Sequence, residues 1–254
     1  MIALMHTLDR VVVIRARPET VFRYFTDSDR WAAWWGAGST VDPHPGGRIY
    51  IRYPDGTEVA GEVLELASPS LFAFTYGFAS GTPIPAGASR VTIRLAAHAE
   101  GTRLTLRHEF ADAAVRDHHV QGWRYQLSLF ANVVADEALA RAAEATDAWF
   151  AAWADTDEAS RARALSAVAG QSVQLHDRFS AIEGLDELVA HIGAAQRFMP
   201  GTTLQRQGDV KRCQGMVLAN WAAVASDGQP RGAGTNVFIF SSDGKIASVT
   251  GFWS

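Results

Sequence analysis

The chain has 254 residues, more than one compact core usually holds, so two domains are expected. With 48% hydrophobic and 20% charged residues it lies outside the composition of disordered chains, and a net charge of −4 with scattered arginines excludes an electrostatic face for nucleic acid. The single cysteine, Cys213, excludes an internal disulfide; the N-terminal MIALMHTLDR lacks the basic start and apolar run of a signal peptide, and no stretch reaches the ~20 apolar residues of a membrane span, so a cytoplasmic protein away from membranes is expected.

The β-branched run Val11 to Ile14 predicts a strand buried on both faces. Pro18 and Glu19 open a helix with Val21, Phe22 and Phe25 on one stripe, and the spacing of Trp31, Trp34 and Trp35 places three indoles on one side of a short helix ending at Gly36. From Gly46 the period becomes alternating. Ile49 to Tyr53, Val59 to Leu66, Leu71 to Phe78, Arg90 to Ala97 and Thr102 to Phe110 predict an antiparallel meander. Trp123, Leu127, Phe130, Val134 and Ala138 then line one face of a long helix. The alanine-rich stretch Leu139 to Ala145 predicts a continuous or nearly continuous helical junction, with one domain spanning 1–141 and the other 142–254.

In the second domain, Thr146 is the expected cap of a helix bearing Trp149, Phe150 and Trp153, followed by a helix from about Asp157 to Val168. A strand at Ser172 to Asp177, a helix at Leu185 to Phe198, and four alternating segments between Thr202 and Trp253 complete it.

A meander bent around one amphipathic helix leaves room for a cavity, and in the first domain its expected lining is aromatic. Trp31, Trp34, Trp35, Phe72, Phe74, Tyr76, Phe110, Trp123 and Tyr125 are the candidates, with plain core packing as the alternative for each. His108 falls among Leu104, Leu106 and Phe110, either as an acid or base in that pocket or as a hydrogen-bonded core histidine. The adjacent His118 and His119 diverge by about 100° on a helix and form no metal pair, so no metal is expected.

The order of elements, with Pro18-Glu19-Thr20-Val21-Phe22, Trp31-Ala32-Ala33-Trp34-Trp35, Gly46-Gly47-Arg48, Gly61-Glu62-Val63 and Gly122-Trp123, resembles the START-like, helix-grip SRPBCC superfamily, in the branch of activator of heat-shock-protein ATPase homologues. That resemblance implies a hydrophobic ligand cavity and specifies no reaction. The second domain resembles the SnoaL-like cone fold of polyketide cyclases, ketosteroid isomerases and nuclear transport factors. The resemblance rests on Trp149-Phe150-Ala151-Ala152-Trp153, Leu175-His176-Asp177, Ile182-Glu183-Gly184, Gln196 to Gly201, Gly234-Thr235-Asn236-Val237-Phe238 and Asp243 to Ile246. Together these imply an α+β protein of two domains, each with a curved antiparallel sheet.

In the isomerase branch a carboxylate at the end of the first strand shuttles a proton, and Asp177 stands at the matching place. Asn236 and Trp149 occupy the places of that branch's oxyanion-holding acid and tyrosine; an amide and an indole can both donate to an enolate oxygen. His176 should face the other side of the strand. Trp153, Phe198, Met199, Trp221 and Phe238 complete the expected lining of the cone. The leading expectation is binding of a small hydrophobic molecule in one or both cavities with no cofactor. A cyclase, isomerase or dehydratase using Asp177 as base is the alternative. A third reading is an oligomerisation module, a homodimer formed through the sheet of the second domain.

Overall fold

The computed structural model describes residues 3–254, which divide after Ala135 into two compact units, ahead of the boundary expected after Arg141. Each unit is a curved sheet with helices on its concave side, so the class is α+β as expected. Among the described residues no helix is long and apolar enough to cross a membrane.

The first unit runs β1 (His6–Ile14), α1 (Pro18–Arg23), α2 (Ser28–Trp35), β2 (Thr40–Val41), β3 (Arg48–Arg52), β4 (Glu58–Ala67), β5 (Leu71–Tyr76), β6 (Ser89–His98), β7 (Gly101–Phe110) and α3 (Ala113–Ala138). Its seven strands are ordered β1-β7-β6-β5-β4-β3-β2, every pair antiparallel. Asp27 caps α2 by accepting the Arg30 N–H at 3.0 Å, and Gly36 ends it at φ 144°, where a Cβ would stand 2.2 Å from the Arg52 carbonyl oxygen. The three tryptophans of α2 point inward as their spacing predicts, and Phe25 stacks between Phe72 at 5.6 Å and Phe130 at 5.2 Å.

One expectation is corrected here. β1 is not buried on both faces: it is an edge strand pairing with β7 alone, and Val11 and Val13 stand exposed on its outer side. A β-branched run reports strand propensity, whereas double burial needs layers on both sides of the sheet.

The second unit continues with α4 (Ala142–Ala152), α5 (Glu158–Val168), β8 (Ala169–His176), β9 (Ala181–Glu183), α6 (Leu185–Phe198), β10 (Thr203–Cys213), β11 (Met216–Val224), β12 (Pro230–Phe240) and β13 (Ile246–Trp253). Thr146 does not cap α4 but lies inside it, donating its hydroxyl to the Ala143 carbonyl at 2.8 Å. Arg161, almost fully buried on α5, donates to the carbonyls of Val189 on α6 at 3.0 Å and Asp155 at 2.8 Å, tying two helices and a loop together.

The second sheet is ordered β10-β11-β12-β13-β8-β9 and is antiparallel except where β13 pairs with β8 in parallel. The sheet is otherwise antiparallel as expected, and β8 and β13 can run parallel because they are joined through α6 and four strands, a connection long enough to bring the chain back in the same direction. The pair matters, since it sets the end of β8 beside β13.

Candidate functional site

Alternation along β11, β12 and β13 turns every second residue into the concave side, and the register arranges those residues in rows. The deepest row is apolar: Val217, Phe238, Val249 and Leu175 stand opposite one another. In the next row Ala219 faces Asn236 and Asn236 faces Gly251, with Asp177, one residue past β8, beside Gly251. The third row is Trp221, Gly234, Trp253, in which two indoles meet edge to face over a glycine with centroids 4.9 Å apart. A Cβ at Gly234 would lie 2.6 Å from the Trp221 ring and 2.3 Å from the Phe252 carbonyl oxygen. The Gly-Ala-Gly run thus makes room for tryptophans.

Above these rows lies a cavity of about 550 Å³, roofed by α6 and the segment that follows it. Its lining brings together Asp177, Asn236, Trp153, Trp221, Phe198 and Met199 of the expected set. Trp149 and Phe238 do not reach it. They are fully buried one layer behind, with their rings 5.9 Å apart, so the oxyanion role expected of Trp149 has no geometric basis. One turn further along α4, Trp153 takes the wall position instead. His176 is exposed, on the far side of β8 as its period predicts.

The two polar side chains of the floor row each have a defined partner. The Trp221 indole donates to Asn236 Oδ1 at 2.9 Å; an indole is only a donor, so this bond fixes the amide's orientation and leaves its NH2 without a partner among the described residues. Asp177 Oδ1 accepts the Phe179 backbone N–H at 2.8 Å and Oδ2 accepts the Trp253 indole at 3.2 Å. A Cβ at Gly251 would stand 3.1 Å from Asp177 Cβ and 3.2 Å from Asn236 Oδ1, so carboxylate and amide flank one gap in the floor.

Two further lining residues, Ser180 and His191, escaped the sequence reading. Ser180 Oγ and His191 Nε2 are 2.9 Å apart, and the imidazole stands edge-on to Trp153. His191 was detectable: it falls between Leu188 and Ala195 on the inward stripe of α6. Ser180 sits in an irregular turn that no period marks.

The first unit holds a smaller space of about 360 Å³, lined by Trp35, Tyr76, Trp123 and Tyr125 of the expected set together with Tyr53, His118, His119 and others. Trp31, Trp34, Phe72, Phe74 and Phe110 pack into the core and take no part in it. Burial pushes the Tyr53 phenol up to about 12, and burial with the neighbouring Tyr53 raises Tyr76 well above the usual range, so this 3.2 Å hydroxyl pair stays protonated.

His108 lies outside that pocket, inside a closed chain of hydrogen bonds. The Trp123 indole donates to Nδ1 at 2.9 Å, which makes Nε2 the protonated nitrogen; Nε2 donates to Ser89 Oγ at 2.8 Å, and Ser89 donates to the Tyr76 carbonyl at 2.8 Å. Every donor in the chain is used, so His108 is a satisfied core histidine. Burial, and next the neighbouring His119, hold it well below the ordinary value of 6.5, and burial lowers His119 in the same sense. The unfolded chain therefore binds protons that the folded one refuses. Stability should be complete above 6.5 and fall as the pH drops below it. Urea midpoints measured from pH 7 to pH 5 should decline, with a shallower slope in His108→Gln; equal slopes would show that His108 titrates normally.

Residues 15–135 match the family model described as Activator of Hsp90 ATPase homolog 1-like protein. The first unit is similar to that family. No curated protein matches the chain. Among solved structures, a protein of the SnoaL-like family from Agrobacterium tumefaciens is 23% identical over 44% of this chain and 95% of its own, with a TM-score of 0.42. The Aha1 dimer of Colwellia psychrerythraea is 17% identical over 48% of this chain and 91% of its own, TM-score 0.42. Protein CV1439 of Chromobacterium violaceum is 26% identical over 49% and 94%, TM-score 0.41. The first part of the fusion expected from the sequence, a unit similar to the activator-of-Hsp90-ATPase-homologue family, is the one matched.

Proposed function

We propose that the chain binds a small, largely apolar molecule bearing a carbonyl or similar acceptor in the cavity of its second unit. The observation that carries this reading is the row Asn236, Gly251, Asp177 at the floor of a largely apolar space of about 550 Å³. The apolar walls supply affinity, and the free Asn236 NH2 supplies orientation. The test compares 2-acetonaphthone with 2-ethylnaphthalene, alike in shape but differing in the carbonyl, by quenching of the lining tryptophans. Asn236→Ala should weaken the ketone about 5- to 10-fold, the net worth of one hydrogen bond, and leave the hydrocarbon nearly unchanged. Equal losses for both would refute the role of the amide.

The flanking of one gap by carboxylate and amide favours a second reading, in which Asp177 removes a proton next to the carbonyl that Asn236 holds. Both Asp177 oxygens already accept one hydrogen bond, which aims the carboxylate while leaving lone pairs for a proton. The Kemp elimination of 5-nitrobenzisoxazole needs only a base in an apolar site. Asp177→Asn should slow it about 100-fold or more, and an unchanged rate would remove the base.

A further inference from the structure

We infer that His191, seated by Ser180, is a second proton-transfer residue of this cavity, and that the pair Asp177 and His191 suits loss of water from a β-hydroxy ketone. The inference rests on the second reading above, since it adds an acid to that base.

The two groups come from different walls. Asp177 follows β8, whereas His191 projects from α6, and the turn between them places both at one space. The Asp177 N–H donates to the Ser180 carbonyl at 3.0 Å and the Ser180 N–H returns to the Asp177 carbonyl at 3.4 Å, so the two residues close the turn face to face. The Ser180 hydroxyl then meets His191 Nε2 at 2.9 Å. Base, serine and imidazole are linked in that order, and all three line the cavity. Ser180 fixes one ring nitrogen and so orients the imidazole, while Trp153, edge-on, limits its swing.

A lone base suffices for isomerisation by proton return. A second acid on another wall is of use when a leaving group elsewhere on the substrate must be protonated. In a β-hydroxy ketone the acidic C–H and the departing hydroxyl sit on adjacent carbons. With Asp177 ionised and His191 protonated, the carboxylate takes the α-proton, and the C–H electron pair passes to an enolate whose oxygen accepts from the Asn236 NH2. The enolate collapses to form the Cα–Cβ double bond, the Cβ–O bond breaks, and the departing oxygen takes the His191 proton. Enone and water leave. Asp177 is then protonated and His191 neutral, and transfer of that proton through water restores both.

The test uses 4-hydroxy-4-phenylbutan-2-one, whose dehydration product absorbs as a conjugated enone, alongside the Kemp probe, which needs no acid. The wild-type chain should dehydrate the ketone faster than buffer does. His191→Gln should lower kcat for dehydration about 100-fold, and at least ten times more than it lowers the Kemp rate. Ser180→Ala, a positioning change, should lower dehydration by a smaller factor, mainly in kcat rather than KM. Dehydration that survives His191→Gln, or a wild type active on the Kemp probe and inert toward the hydroxy ketone, would overturn the inference and leave Asp177 as a lone base. Inactivity on both probes would overturn both readings.

Discussion

Gly251→Leu is expected to abolish ligand uptake by the second unit while leaving that unit folded. Gly251 is the gap in the floor row: a Cβ there meets Asp177 Cβ at 3.1 Å and Asn236 Oδ1 at 3.2 Å, contacts that side-chain shifts of a few tenths of an ångström relieve. The atoms beyond that Cβ have nowhere to go but the cavity, where they cover carboxylate and amide together. Loss of both polar groups and of the deepest apolar contacts should weaken 2-acetonaphthone about 100-fold or more, near 2.7 kcal/mol. The strand itself gains a side chain in place of an entropically costly glycine, so the urea midpoint should move little. Gly251→Ala, which stops at the Cβ, should retain most of the affinity. Undiminished binding in the leucine variant would show that ligands never reach the floor row.

The largest expected loss of stability lies in the other unit. Phe25 is wholly buried, stacks on Phe72 and Phe130, and meets the Trp34 edge at 6.1 Å. Phe25→Ala removes a ring whose neighbours are themselves large and rigid, so the void cannot collapse, and the cost should be about 3 to 5 kcal/mol. Against a total stability of about 5 to 15 kcal/mol this should be visible as a large fall in the urea midpoint. Tyr125→Ala, on the exposed side of α3, should cost under about 0.5 kcal/mol. Similar midpoints for the two variants would mean that the aromatic cluster is not the centre of the first core.

Local pattern carried most of the fold. The tryptophan spacing of α2, the alternation of the two meanders and the stripe of α3 are properties of adjacent residues, and each element appeared where its period placed it. The misses depend on distant partners. Val11 and Val13 are exposed because nothing covers that face of an edge strand, and β9, three residues long, exists only by pairing with β8. Thr146 looks like a cap until α4 is seen to begin four residues earlier, at Ala142.

The site divides in the same way. Asp177 and Asn236 were singled out by the resemblance of their segments to the isomerase branch, and both line the cavity. Trp149, named by the same resemblance, is buried behind the cavity, and Trp153, one turn on, is the residue that reaches it. The first-domain aromatics show the same limit: nine candidates fit a pocket or a core equally well by pattern, and Trp35, Tyr76, Trp123 and Tyr125 line the space that forms while the other five do not. Ser180 was invisible because its role arises from a turn and from a helix eleven residues further on.

The stacking of rows in the second unit works as a ruler. Positions two apart on β12 are separated by about 6.6 Å along the strand, and Gly234, Asn236 and Phe238 mark three successive graduations on one concave face. The depth at which a bound carbonyl is gripped is therefore set in coarse steps, by which graduation carries the amide.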